Sequence, residues 1–124
     1  MKISVPKESV DSETRVAVTP HSVSELTKLG YEVCIQASAG NESFISDDLY
    51  KKSGAKIIKS SDELLKGADI VLKVAPPSLD EISLLAEKSV CISFFQPFQS
   101  AIFYCVRSCS VRAAYLPYVL LCIQ

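Results

Sequence analysis

The residues best suited to chemistry lie in one stretch, Lys7-Glu8-Ser9-Val10-Asp11-Ser12-Glu13-Thr14-Arg15-Val16-Ala17-Val18-Thr19-Pro20, where Arg15 is the only arginine of the first hundred residues. A guanidinium is a rigid fork of donors that grips a carboxylate or a phosphate through two hydrogen bonds. A short apolar run, Ile3-Ser4-Val5, leads into this loop, and a helical pattern leaves it at Pro20. Open α/β sheets place their ligand chemistry where a strand ends in such a loop and then feeds a helix. The plainer alternative, which the sequence pattern by itself favours, is that Arg15 pairs with Glu8 or Glu13 and only pins the loop. Two more polar side chains stand at the ends of apolar runs: Lys73 in Ala68-Asp69-Ile70-Val71-Leu72-Lys73-Val74, and Gln96 after Val90-Cys91-Ile92-Ser93-Phe94-Phe95. The lone histidine, His21, falls in the first turn of a helix, where an imidazole is more often solvated than catalytic. No residue is assigned a catalytic role from pattern alone.

The elements that must position these side chains follow a repeated order. Residues 2–5 alternate and stop at Pro6, as a short strand does. Thr19-Pro20 opens a helix, with Thr as the cap and Pro at the first position; Val23, Leu26 and Leu29 mark one face, and Gly30 closes it. Tyr31 to Gln36 alternates as a strand that contains Cys34, a small core hydrophobe. Ser46-Asp47-Asp48 caps a helix that runs to about Ser53, before Gly54, and Ala55 to Ile58 is a short strand. Ser60-Ser61-Asp62-Glu63 and Ser78-Leu79-Asp80-Glu81 both have capping-box spacing, and Leu79, Ile82, Leu85 and Ala86 form the apolar face of the second of these helices. The run from Ala68 to Val74 is almost continuously apolar, as in a central parallel strand covered on both faces. Strand, loop and helix repeat about four times, which predicts an α/β fold: a mostly parallel open sheet with helices on both faces and right-handed crossovers. Arg15, Lys73 and Gln96 would then share one edge of that sheet.

Composition narrows the function further. The 124 residues make one domain or part of one, and 48% hydrophobic content supports a single core. The net charge is −1, and the first eighty-eight residues hold all 14 acidic and 11 of the 13 basic residues. No basic cluster tracks a phosphate backbone, so nucleic acid is not expected as a partner. The five cysteines form no CxxC pair and lie far from His21, so zinc spacing is absent; free thiols in a reducing cytosolic setting are expected.

Beyond about Ser100 the character changes. Ala101 to Gln124 has no Asp, Glu, Lys, Gly, Asn or Thr and shows no clean helical or strand period. A membrane anchor is interrupted by Arg107 and Arg112, and the uncharged run after Arg112 falls short of the roughly 20 residues a span needs. A hydrophobic end that docks on a partner is a second reading. The third, favoured because charge balance and turn residues vanish abruptly, is the product of a shifted reading frame.

Several words along residues 1–100 carry a resemblance. They are Met1-Lys2-Ile3-Ser4-Val5-Pro6-Lys7-Glu8, Glu13-Thr14-Arg15-Val16-Ala17-Val18-Thr19-Pro20, Leu29-Gly30-Tyr31-Glu32-Val33, Ala39-Gly40, Ser53-Gly54-Ala55-Lys56-Ile57, Ala68 to Val74, and Ser93-Phe94-Phe95-Gln96-Pro97. In order and spacing the chain resembles the N-terminal domain of the alanine dehydrogenase/NAD(P) transhydrogenase α-subunit family. The resemblance implies a Rossmann-like or flavodoxin-like first domain over residues 1–100, with 101–124 as an unmatched hydrophobic tail. In the alanine dehydrogenase branch, the positions of Arg15 and Lys73 hold the substrate carboxylate, and a histidine follows the strand that here ends at Phe95. This chain has Gln96-Pro97 there, which resembles the transhydrogenase branch, where hydride passes between NAD(H) and NADP(H) and is coupled to proton movement.

In that family NAD sits in a second, Rossmann domain whose Gly-rich turn receives the pyrophosphate. The glycines here, Gly30, Gly40, Gly54 and Gly67, form no GxGxxG, so no residue of this chain is assigned to the cofactor. The resemblance thus implies a truncated member, inactive alone, with Arg15, Lys73 and Gln96 lining a cleft that faces NAD. It also implies other transhydrogenase subunits or domains as partners, a homodimer in the full protein, and a cytoplasmic place at the inner membrane through those partners, with no span of its own.

Overall fold

The computed structural model describes residues 1–86 and 89–94 and, beyond them, two strands at 112–116 and 119–123. Five parallel strands form the body of the sheet: β1 (Lys2–Val5), β2 (Glu32–Gln36), β3 (Lys56–Ile58), β4 (Ile70–Leu72) and β5 (Val90–Ser93). They lie in the order β3-β2-β1-β4-β5. β6 (Arg112–Leu116) and β7 (Val119–Ile123) form an antiparallel pair, and β7 adds antiparallel to β5, with Val90 opposite Ile123 and Ser93 opposite Leu120. These strands fall in the segment whose sequence shows no strand period. A run apolar at every position, such as Val119–Ile123, carries no alternation to read.

Among the described residues four α-helices cover the sheet: α1 (Pro20–Lys28), α2 (Asp47–Lys52), α3 (Ser61–Lys66) and α4 (Leu79–Leu84). Their starts follow from local chemistry. The Thr19 hydroxyl accepts from the Ser22 N–H, with Pro20 in the first turn. The Ser60 hydroxyl accepts from the Glu63 N–H, and Ser78 and Glu81 make a reciprocal capping box. Gly30, at φ +87°, ends α1 in the left-handed region, where the Tyr31 N–H reaches back to the Leu26 carbonyl.

Leu29 does not share the buried face of α1; it is 73% exposed. Three residues fall about 60° short of a full helical turn, so two such steps carry position 29 about 120° away from the buried Val23. Leu79, at the start of α4, is likewise exposed, while Ile82 and Leu85 reach the core.

The period of two in the strands divides the core into two layers. Val5, Val33 and Ile35 face a cluster with Val18, Val23, Ala39, Tyr50 and Ala55, which includes α1 and α2 residues. Ser4, Cys34, Val71 and Cys91 lie in register on the other face, where Leu65 and Ala68 pack with Val71 and Cys91 beneath α4. Ser4 is fully buried there, and its hydroxyl donates to the Leu64 carbonyl at 3.0 Å, which offsets the cost of leaving water.

From β1 the chain moves outward through β2 and β3. It then crosses back through α3 to place β4 on the other side of β1. The strand order reverses at β1 and β4, and a crevice opens beyond the carboxyl ends of such a pair.

Candidate functional site at the carboxyl ends of β1 and β4

A cavity of about 480 Å³ lies at this edge of the sheet, bordered among others by Arg15, Val16, Leu72, Lys73, Ser93 and Phe94. The loop that carries Arg15 is fastened at two points. The Ser43 hydroxyl donates to the Thr14 carbonyl at 2.6 Å, and the fully buried Tyr50 donates its phenol proton to the Val18 carbonyl at 2.8 Å. Tyr50 comes from α2 itself, and Ser43 from the segment between β2 and α2. There Gly40 is obligatory on steric grounds: a Cβ at that position would stand 2.7 Å from the Ile45 carbonyl oxygen and 2.8 Å from the Tyr50 ring.

Arg15 is held by its near neighbour Glu13. The Glu13 Oε1 accepts from the Arg15 backbone N–H at 2.9 Å and from Nε at 2.8 Å, and Oε2 accepts from an Nη at 2.7 Å. The paired guanidinium pulls the Glu13 carboxyl down to about 2, and the carboxylate in turn raises the Arg15 pKa. Glu8 contributes to the same field, since its charge also favours the protonated arginine. Of the two partners the sequence offered for Arg15, Glu13 makes the contact and Glu8 acts at a distance. Arg15 remains 69% exposed at the rim of the cavity.

Lys73, immediately after β4, is handled differently. Its side chain is 1% exposed, and its ammonium bonds both oxygens of Glu81, at 2.7 and 2.8 Å. A Glu8 oxygen lies 3.9 Å from the same ammonium. Glu81 is placed by the capping box that starts α4, and its Oε2 also accepts from the Ser78 N–H at 2.7 Å. Glu8 spans the crevice: it leaves the end of β1 and accepts the backbone N–H groups of Val74 and Ala75, at 2.7 and 3.2 Å, beyond β4. One buried cation is therefore met by two carboxylates and stays out of contact with solvent.

Both Arg15 and Lys73 border the cavity, but their charged ends are engaged by different acids. Gln96 lies outside the described residues. In the sequence Glu8 stands out only as a possible partner of Arg15, and Glu81 only as part of a helix cap. The capping box was the available signal for Glu81, because such a box fixes where the acid stands and leaves oxygen lone pairs over. The Glu8 contacts join residues 66 and 67 apart in the chain and leave no local trace.

His21 is exposed on α1, and Cys34 is a buried thiol whose pKa is raised by burial. Among the described residues no group of three His, Cys, Asp or Glu side chains could hold a metal ion. No described helix is long and apolar enough to cross a membrane.

Comparison with known proteins completes the picture. Residues 4–105 match the family described as alanine dehydrogenase/PNT, N-terminal domain. The chain is 41% identical over 101 residues to the NAD(P) transhydrogenase subunit alpha of Cereibacter sphaeroides, covering 82% of this chain and 19% of that protein. It is 45% identical over 83 residues to the alanine dehydrogenase of Mycolicibacterium smegmatis, covering 67% of this chain and 22% of that one. Among solved structures, the transhydrogenase from Sinorhizobium meliloti superposes with a TM-score of 0.75 at 38% identity, over 79% of this chain and 29% of that one. An L-alanine dehydrogenase superposes with a TM-score of 0.81 at 28% identity, over 94% and 34%. The chain thus spans about a fifth of the length of these curated relatives.

Proposed function

Given that this chain belongs to the alanine dehydrogenase/PNT N-terminal domain family, we propose that it is the cleft-forming first part of an NAD(P) transhydrogenase α subunit. The whole protein passes hydride between NAD(H) and NADP(H), coupled to proton translocation. In this reading residues 1–100 form the domain and 101–124 a tail, of which only 101–105 still fall within the family match. In this reading Arg15, Lys73 and Gln96 line the cleft that faces NAD. The single observation that supports it is the cavity at the strand-order reversal, bordered by an exposed Arg15 and by a Lys73 whose charge is already balanced.

Neither cation is an acid or a base here. Arg15 orients an anionic group of a ligand, and the Lys73–Glu8–Glu81 cluster sets the field behind it. NAD itself is held by a separate Rossmann unit, since this chain has no Gly-rich turn to cradle a pyrophosphate. The partners are other transhydrogenase subunits or domains, with a homodimer in the assembled protein, on the cytoplasmic side of the inner membrane. The alternative is the first domain of an alanine dehydrogenase, which the similarity to those enzymes keeps open. Gln96-Pro97 in place of a histidine argues against it, because oxidation of an amino acid needs a proton carrier there.

NADH titrated into the purified 124-residue chain should show no saturable binding, and nicotinamide reduction should stay at buffer level. Tight, saturable NADH binding or clear turnover would overturn the reading. A chimera in which this chain's residues 1–97 replace the matching part of a transhydrogenase α subunit should retain hydride transfer. Alanine oxidation by the matching alanine dehydrogenase chimera would favour the alternative instead.

A further inference from the structure

We propose that Cys91 and Cys122 form a cross-strand dithiol, which a small disulfide oxidant such as glutathione disulfide converts into a bridge fastening β7 to β5. The two residues stand opposite each other where β7 adds antiparallel to β5. The hairpin of β6 and β7 joins the sheet only through β5, so one bond at this register position ties the whole hairpin to the body. Cys122 lies beyond the family match, which ends at residue 105. The proposal does not rest on the reading of the cleft.

The register suits a bridge. The Val90 and Phe94 N–H groups donate to the Asp69 and Val74 carbonyls, and the Lys73 N–H donates to the Ile92 carbonyl. Backbone polar groups alternate sides along a strand, so those of Cys91 and Ser93 face β7. Cys91 and Cys122 are then a hydrogen-bonded pair, with Cα atoms about 5.5 Å apart. Disulfides span Cα separations of about 4.4–6.8 Å, most often about 5.5–6 Å. Residues paired across strands share one face of the sheet. For Cys91 that face lies beneath α4, where it packs with Leu65, Ala68 and Val71. Cys34 belongs to the same row, through Ser4 and Val71, but sits three strands away from Cys91. At about 4.8 Å per strand it is about 14 Å off, beyond any bridge.

The exchange balances in two steps. One cysteine thiolate attacks glutathione disulfide, forms a mixed disulfide and releases one glutathione thiolate. The second cysteine thiolate attacks the protein-bound sulfur of that mixed disulfide and releases the other. Two cysteines are oxidised, one glutathione disulfide is reduced to two glutathiones, and the two thiol protons end on them. Cys91 is 1% exposed, so a tripeptide does not fit beside it while β7 is docked. The first step runs on chains whose hairpin has come away, and re-docking of β7 brings the second thiol into place. In a reducing setting the pair stays a dithiol; an oxidising one holds the hairpin down.

The test uses the full 124-residue chain, prepared reduced and incubated with excess glutathione disulfide. After alkylation, cleavage behind Lys88, Phe94 and Arg112 puts Cys91 and Cys122 on separate peptides, each without another cysteine. Mass spectrometry should find these two peptides joined as the main product. A disordered chain would instead favour shorter loops, Cys91–Cys105 and Cys109–Cys122 among them, by roughly threefold each, because closure entropy grows with length. The same incubation in denaturant should therefore move the main product to those pairs.

The second readout is amide hydrogen exchange in β7. On oxidation it should slow by at least about tenfold, since the bridge removes open states of the hairpin, and dithiothreitol should restore it. Cys122→Ser should show neither the joined peptides nor the slowing. Should that variant misfold, the wild-type map and its denaturant control decide without it. Bridges mainly to Cys105 or Cys109, mixed disulfides with glutathione alone, or the same main product in denaturant would overturn the proposal. So would a Cys91–Cys122 bridge that leaves exchange in β7 unchanged, because the bond would then fasten nothing.

Discussion

Two cations stand at the same edge of the sheet, and the protein treats them in opposite ways. Lys73 is buried, doubly bonded by Glu81 and approached by Glu8, whose carboxylate is itself fixed by two backbone N–H groups. Arg15 is exposed and meets one acid two residues away. A buried ion pair costs several kcal/mol to desolvate and is recovered only through good geometry, so it resists the loss of one partner badly. An exposed pair is screened by water and contributes little to stability, which leaves it free to exchange partners. The contrast teaches that of the two charges flagged together in sequence, one is built into the buried frame and the other stands exposed at the cavity rim.

The largest expected effect breaks the buried side. Glu81→Ala leaves the Lys73 ammonium with Glu8 at 3.9 Å and removes half a capping box. It should destabilise the chain by about 3 kcal/mol, read by denaturant unfolding. Glu81→Leu combined with Lys73→Met should recover part of that loss, since apolar groups of similar shape carry no stranded charge. A Glu81→Ala variant as stable as wild type would erase the difference between the two cations.

A middle-sized effect tests what supports the exposed side. Gly40→Ala would drive a methyl group onto the Ile45 carbonyl oxygen and the Tyr50 ring, at 2.7 and 2.8 Å. The expected cost is about 1–3 kcal/mol, with the loop that carries Arg15 losing hydrogen-exchange protection first. Global unfolding without that local loosening would show that the loop is not hung from this segment.

The smallest effect is a titration. Arg15 holds the Glu13 carboxyl down at about 2, below its unfolded value. A depressed carboxyl contributes stability that is full above the unfolded pKa and is lost as pH falls towards about 2. The carboxyl carbon of Glu13 should therefore titrate near 2 by NMR, and should move up to the ordinary glutamate range in Arg15→Ala. A Glu13 midpoint unchanged by Arg15→Ala would show that the pair does not set the charge of this carboxyl.

Much of the frame could be read in the sequence because its signals are local. Thr19-Pro20, Ser60 and Ser78 start helices through hydrogen bonds no more than three residues long, and Gly30 ends one through its own backbone angle. The apolar run around Val71 could be read as a covered strand for the same reason. Leu29 was misplaced because a step of three residues drifts off a stripe with a period of 3.6. At the site, the partner of Arg15 was legible as a choice between Glu8 and Glu13, and the contacts decide it: Glu13 bonds the guanidinium, while Glu8 is taken by the Val74 and Ala75 N–H groups. The Glu8–Val74 and Glu8–Ala75 bonds were not legible, since only the crossover through α3 brings residues so far apart together.

That long carboxylate bridge has a consequence for time as well as for energy. A bond that closes only after β1 and β4 have met cannot speed their meeting, because its loop entropy falls due before the contact forms. It acts afterwards, as a latch that slows departure. Glu8→Gln should therefore open the sheet faster while refolding keeps its pace, and stopped-flow kinetics would show a displaced unfolding limb beside an unmoved folding one.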